Sequence, residues 1–227
     1  MRVIFIVLLV FVVSCSKTTK YPDYFTTVSG YMNSYVKTVL KDNSKLADSF
    51  FKKAEKQLLL ADDNCNLARI YIKRFFVEEE FNQNSLFYLE KASVFANLSD
   101  CDEEKKIIDG LLMLKLDTEI VNKFYNYYFN YLKSGNENNL LTFLKKDEVP
   151  DYVKSKVFRM LAEDNFMKSL EKSEYYINQA YQIDSFNSYS IYLLKDLNIM
   201  YKICEKKGEV CDNLEKRKTM LQEVIKK

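Results

Sequence analysis

SYSIYLLKDLNIMYKICEK, residues 188–206, is the stretch whose reading decides the fold. Tyr189, Tyr192, Leu193, Leu197, Met200, Tyr201 and Cys204 recur at steps of three and four, which gathers them on one stripe of a helix with a single buried face. Working outward, the chain holds only 4 Gly and 2 Pro in 227 residues, too few turn formers for a barrel or sandwich of many short strands. Apolar residues at 48% and charged residues at 29% fit a folded domain and exclude a disordered one. The expectation is an all-α chain.

Asp42-Asn43-Ser44 and Asp62-Asp63-Asn64 punctuate the first part, and Pro22 suits a first helical turn. Helices are predicted over 22–41, 45–61, 66–80 and 85–98, then a fifth capped by Ser99-Asp100 with Asp102, Glu103 and Glu104 at its positive end. Six more follow over 118–133, 137–146, 150–164, 168–183, 188–206 and 210–225. Short connections make consecutive helices antiparallel neighbours, in a bundle or a solenoid. No low-complexity tract divides residues 22–227, which read as one domain.

Two stretches carry resemblances. Residues 173–187 place a small residue, a bulky one four later and an alanine three after that, at Ser173, Ile177 and Ala180, followed by Asp184 and Asn187. This looks like the second helix and closing turn of a tetratricopeptide unit, and Lys207-Gly208-Glu209 looks like the turn inside the next one. Ser185 stands where the family has proline, Asn213 where it has a small residue, and the chain has no Trp. The 36-residue spacing of Cys65 and Cys101 is close to the family's period of about 34. The resemblance implies stacked antiparallel helix pairs in a right-handed tetratricopeptide-like solenoid, with an irregular helical bundle as the rival architecture.

The second resemblance lies at the start. Met1-Arg2, an unbroken apolar run from Val3 to Val13, then Ser14-Cys15, have the parts of a secretory signal. The run is too short for the roughly 20 apolar residues that cross a bilayer. It resembles the lipobox of bacterial lipoproteins, which implies removal of residues 1–14, a covalent lipid on Cys15, and 15–21 as a short tether. Ser16, which is not Asp, leans towards the outer membrane with the body facing the periplasm; a single-membrane host would put it on the cell surface. In an oxidising compartment an even number of further cysteines favours disulfides. Cys204 and Cys211 flank the Gly208 turn and are expected to pair; Cys65 with Cys101 is the remaining pair, with burial as two free apolar thiols the competing reading.

The chain has no His, so a Ser-His-Asp triad, a Cys-His pair and an imidazole-bound zinc are excluded. It also lacks a Gly-rich phosphate loop, C-x-x-C and Gly-x-Ser-x-Gly. Net charge is only +2 and the basic residues are interspersed with acids, so nucleic acid is not an expected partner. The acids at 100–104 lack the glycine turn of a calcium loop and read as helix caps, and Glu78-Glu79-Glu80 reads as a solvated helix end. No metal or cofactor beyond the Cys15 lipid is expected.

Residues 120–132 crowd Phe124, Tyr125, Tyr127, Tyr128, Phe129 and Tyr131 onto one helix, for which core packing is the first account. Asn122, Asn126 and Asn130 form a polar ridge on it. In tetratricopeptide proteins such asparagines line the concave face and hold a peptide backbone, so the ridge with Tyr127 is the expected ligand groove. The chain therefore reads as a non-enzymatic lipoprotein scaffold for an envelope protein or peptide, an accessory of outer-membrane assembly or secretion. The alternative is a glycan-binding or peptidoglycan-active lipoprotein using aromatic faces and a carboxylate pair.

Overall fold

A computed structural model of the chain describes residues 22–116, 119–146 and 148–225. Eleven helices and no strand occur among them. The first five are α1 (Asp23–Val39), α2 (Ser44–Leu60), α3 (Asn64–Glu78), α4 (Leu86–Leu98) and α5 (Asp102–Leu111). They are followed by α6 (Lys123–Ser134), α7 (Asn138–Leu144), α8 (Asp151–Asn165), α9 (Leu170–Asn187), α10 (Ser190–Lys207) and α11 (Asp212–Ile225).

The acidic turns use one device twice. Asp42 and Asp62 take left-handed backbone with φ of 64° and 52°, and the next residue then caps the following helix. Asn43 accepts from the Leu46 N–H, and Asp63 from the Asn66 N–H. Each such cap stabilises its helix by about 1 kcal/mol. Gly208 ends α10 at φ 71°, where a side chain would strain the backbone, in agreement with the turn expected there. Two boundaries differ from expectation. The fifth helix is preceded by Cys101, which makes no side-chain cap, and Ser99 Oγ instead accepts from Asn64 Nδ2 at 3.1 Å. The ninth does not close at Ile183 but runs to Asn187 and stops at left-handed Ser188.

The helices associate as neighbouring hairpins, α1 with α2, α3 with α4, α6 with α7, α8 with α9 and α10 with α11, a packing consistent with a solenoid. Gly110 of α5 lets the Phe129 ring approach so closely that an added Cβ would lie 2.4 Å from it. Two apolar cores result. One joins α1 to α5 and includes Tyr35, Phe51, Leu58, Leu67 and Phe75. The other, around Leu140, Val157, Leu161, Ile177 and Ala180, joins α7 to α9.

α3 and α10 serve both cores. Phe75 faces the first and Phe76 the second; Tyr192 packs in the first, and Ile199 and Ile203 in the second. The start of α10 also reaches back to the beginning of the chain. The Ile191 N–H donates to the Leu40 carbonyl at 3.2 Å, and Tyr192 OH to the Val77 carbonyl at 3.0 Å. Contacts thus extend beyond the nearest-neighbour pattern of a simple repeat array. None of the helices among the described residues is long and apolar enough to cross a membrane.

Candidate functional site

The seam between the two cores is built of charge. Arg159 on α8 is 2% exposed and its guanidinium carbon sits over the Tyr192 ring, 4.1 Å from its centroid. Its Nη1 donates to Asp184 Oδ2 of α9 at 2.7 Å and to Asp196 Oδ1 of α10 at 2.6 Å, and its Nε donates to Glu80 at 3.1 Å. Burial raises both aspartyl carboxyls against the pull of the guanidinium, Asp196 well above the usual carboxylate range. Lys156, one turn earlier on α8, pairs with Glu79 at 2.7 Å, stacks on Phe76 and donates to the Phe76 carbonyl.

Glu78 is buried as well. It accepts from Tyr35 OH at 2.5 Å and from Arg74 Nε at 3.0 Å, and Arg74 also holds Asp48 at 2.6 Å. The expectation that 78–80 form a solvated helix end is therefore corrected: each glutamate answers a different cation because α3 is enclosed on both sides. Asp184, expected to close a turn, accepts the Tyr189 N–H with its carbonyl at 2.9 Å where α9 ends, and its side chain is in addition a fully buried member of the Arg159 cluster.

A cavity of about 630 Å³ opens beside this seam where α3, α5, the start of α6 and the start of α8 converge. Ile72, Phe76, Phe124, Phe143, Val149 and Val153 give it apolar walls. Lys73 of α3 lines it together with Tyr125 and Tyr152. Its ammonium sits 5.7 Å from the Tyr152 ring centroid, touches Asn33 Oδ1 only at 3.5 Å and makes no ion pair with any described residue. Burial pushes this amine down to about 8. The acids at the rim are occupied elsewhere or solvated. Glu104, itself buried, is held by Arg69 at 2.5 Å; Glu103 accepts the Asn122 N–H at 2.7 Å; Glu148 is exposed.

The expected asparagine groove takes a different form. Asn122 is the N-cap of α6, accepting from the Phe124 and Tyr125 N–H groups, and it lines the cavity. Asn126 Nδ2 donates to the Ile120 carbonyl at 3.3 Å, and Asn130 Nδ2 to Asn126 Oδ1 at 3.0 Å, so the ridge is tied down by its own bonds. Tyr127 packs against Phe143, 5.2 Å between centroids, outside the cavity lining. Of the four residues, only Asn122 meets the cavity.

The sulfur pairing follows expectation. Cys65 and Cys101 are bridged with Cα atoms 5.4 Å apart, and Cys204 and Cys211 with 6.0 Å. The first pair comes within reach because loops 61–64 and 99–101 lean together through the Asn64–Ser99 bond. Glu104 lies close enough to both sulfurs to complete a three-ligand metal cluster, but the sulfurs bind each other and the carboxylate binds Arg69. Cys15 and the rest of the leader lie outside the described residues. The chain matches no family model, no curated protein and no solved structure.

Lys73 and the seam were missed by sequence reasoning. The available signal was a charged residue inside an apolar stripe: Asp196 between Tyr192 and Met200, and Arg159 between Phe158 and Met160.

Proposed function

We propose that the protein is a lipid-anchored, non-enzymatic scaffold of the bacterial envelope, which loses residues 1–14, carries its lipid on Cys15 and grips a protein or peptide partner through its stacked helix pairs. The observation that carries this reading is the accounting of sulfur. Four cysteines are consumed by two bridges, which suits an oxidising compartment, and the fifth is the one in the lipobox-like sequence. Placement at the outer membrane facing the periplasm, and a right-handed tetratricopeptide-like stacking, belong to the same proposal.

Binding is favoured over chemistry by where the polar groups are spent. The buried acids are committed to Arg69, Arg74 and Arg159, and Tyr35, Tyr131, Tyr176 and Tyr192 are buried rather than presented as sugar-stacking faces. The burial of these rings favours a scaffold over the glycan-active alternative.

Intact-mass analysis of full-length protein expressed in a two-membrane bacterium tests the reading. A mature chain starting at a diacylglycerol-modified Cys15, with Cys65–Cys101 and Cys204–Cys211 peptides recovered under non-reducing conditions, is expected. Cys15→Ser should release the protein from the membrane fraction. A mature product still beginning at Met1, or Cys15 found in a disulfide, overturns it.

A further inference from the structure

We propose that the cavity between α3, α5, α6 and α8 is a binding site for a small hydrophobic carboxylate, its carboxylate paired with Lys73 and its apolar body laid against Ile72, Phe76, Phe124 and Phe143. The inference goes beyond membrane anchoring and does not depend on it.

The first ground is a contrast among cations. Arg74, Lys156 and Arg159, the other cations enclosed between α3 and its neighbours, each meet at least one carboxylate within 3.1 Å. Lys73, next to Arg74 on α3 and partly buried, has none. A charge drawn out of water without a partner is costly, and the cost is recovered when an anion arrives. No rim acid is paired with Lys73: Glu104 is held by Arg69, Glu103 accepts the Asn122 N–H, and Glu148 is exposed.

The second ground is the start of α8. Its N-cap is Pro150, no side chain caps it, and Pro150, Tyr152 and Val153 line the cavity. The positive end of a 15-residue helix therefore adds to the Lys73 charge. Asp151, the acid in that first turn, does not line the cavity and accepts from Asn187 Nδ2 at 3.1 Å.

Size and wall chemistry fix the ligand class. A volume of about 630 Å³ lies within the roughly 300–1,000 Å³ of small-molecule sites, and apolar walls with a few convergent polar groups are their usual composition. Arg69, Lys123 and Lys146 also line the cavity but are exposed at its rim, so Lys73 is the enclosed cation, and a charged head group meets it inside the apolar walls.

Calorimetric titration of the full-length protein with decanoate tests the proposal, with the same ten-carbon chain bearing a trimethylammonium head as control. Decanoate is expected to bind one to one, and the cationic chain at least tenfold more weakly. Lys73→Met should weaken decanoate at least tenfold while leaving the protein folded, because it removes an unpaired charge; Lys73→Arg should retain most of the affinity. Bound decanoate should also protect Lys73 from amine acylation, read by peptide mass spectrometry. The proposal fails if decanoate does not bind at millimolar concentration, if the cationic chain binds equally, or if Lys73→Met binds as the parent does. None of these results bears on whether Cys15 carries a lipid.

Discussion

Lys73 and Arg74 are adjacent in the chain and fall into opposite environments. Arg74 points to the Tyr35–Glu78 side, where it meets two carboxylates and lies 4.3 Å from the Tyr88 ring centroid. Lys73 points into a cavity with aromatic walls whose acids, Glu103, Glu104 and Glu148, form no ion pair with it. The difference separates two uses of buried charge. In the seam, cations and acids are matched within the chain and hold helices in register; in the cavity, one cation is left for something from outside.

The sharpest way to break this comparison is to empty the seam. Arg159→Met leaves Asp184 and Asp196 enclosed without their cation, and should cost about 3–5 kcal/mol in urea unfolding. A loss below about 1 kcal/mol would mean that the cluster is not a structural unit. Replacing both aspartates by asparagine in the same background should recover part of the loss, because their charges then no longer need an answer.

The neighbouring pair gives opposite signs. Arg74→Met strands Glu78 and should destabilise by about 2–3 kcal/mol. Lys73→Met removes a charge that burial penalises and should stabilise by about 1 kcal/mol. Equal signs in the two unfolding curves would erase the distinction between seam and cavity.

The smallest effect is a slope against pH. The Lys73 amine titrates near 8 in the folded chain and at its ordinary value near 10.5 once unfolded, so between these limits the unfolded state holds the extra proton. Stability should therefore rise as pH increases from about 8 to 9.5. Lys73→Met should flatten this rise. Above about 10 the trend reverses, because burial holds the Tyr35 and Tyr192 hydroxyls protonated after their unfolded counterparts have ionised.

The helices were legible from the sequence because their boundaries rest on local chemistry. Asp42-Asn43 and Asp62-Asp63 form a turn and a cap whatever surrounds them, and Gly208 supplies a backbone conformation that other residues resist. The cysteine pairs were legible because each flanks a turn or a repeat-like spacing. The seam was not legible, for a physical reason. A periodic stripe identifies one buried face, whereas α3 and α10 bury two, so Glu78, Glu80 and Asp196 carry the sequence signature of solvated positions. The asparagine ridge misled in the opposite direction: its spacing suggested a display of free amides, but Asn122 caps the helix start, Asn126 reaches back to Ile120, and Asn130 bonds to the turn before it. The cavity depended on the meeting of four elements distant in sequence, and only Asn122 pointed to it.

The bond from Ile191 to Leu40 joins residues on opposite halves of the molecule. A chain closed this way cannot mature one hairpin at a time from its leading end. The pocket for Tyr192 among α1, α3 and α10 exists only after most of the polypeptide is present, so the closing step must wait for long-range encounter and loop-closure entropy. A truncated product ending before α10 would keep its early hairpins yet expose their uncovered flank, which makes α10 the latch of the whole assembly.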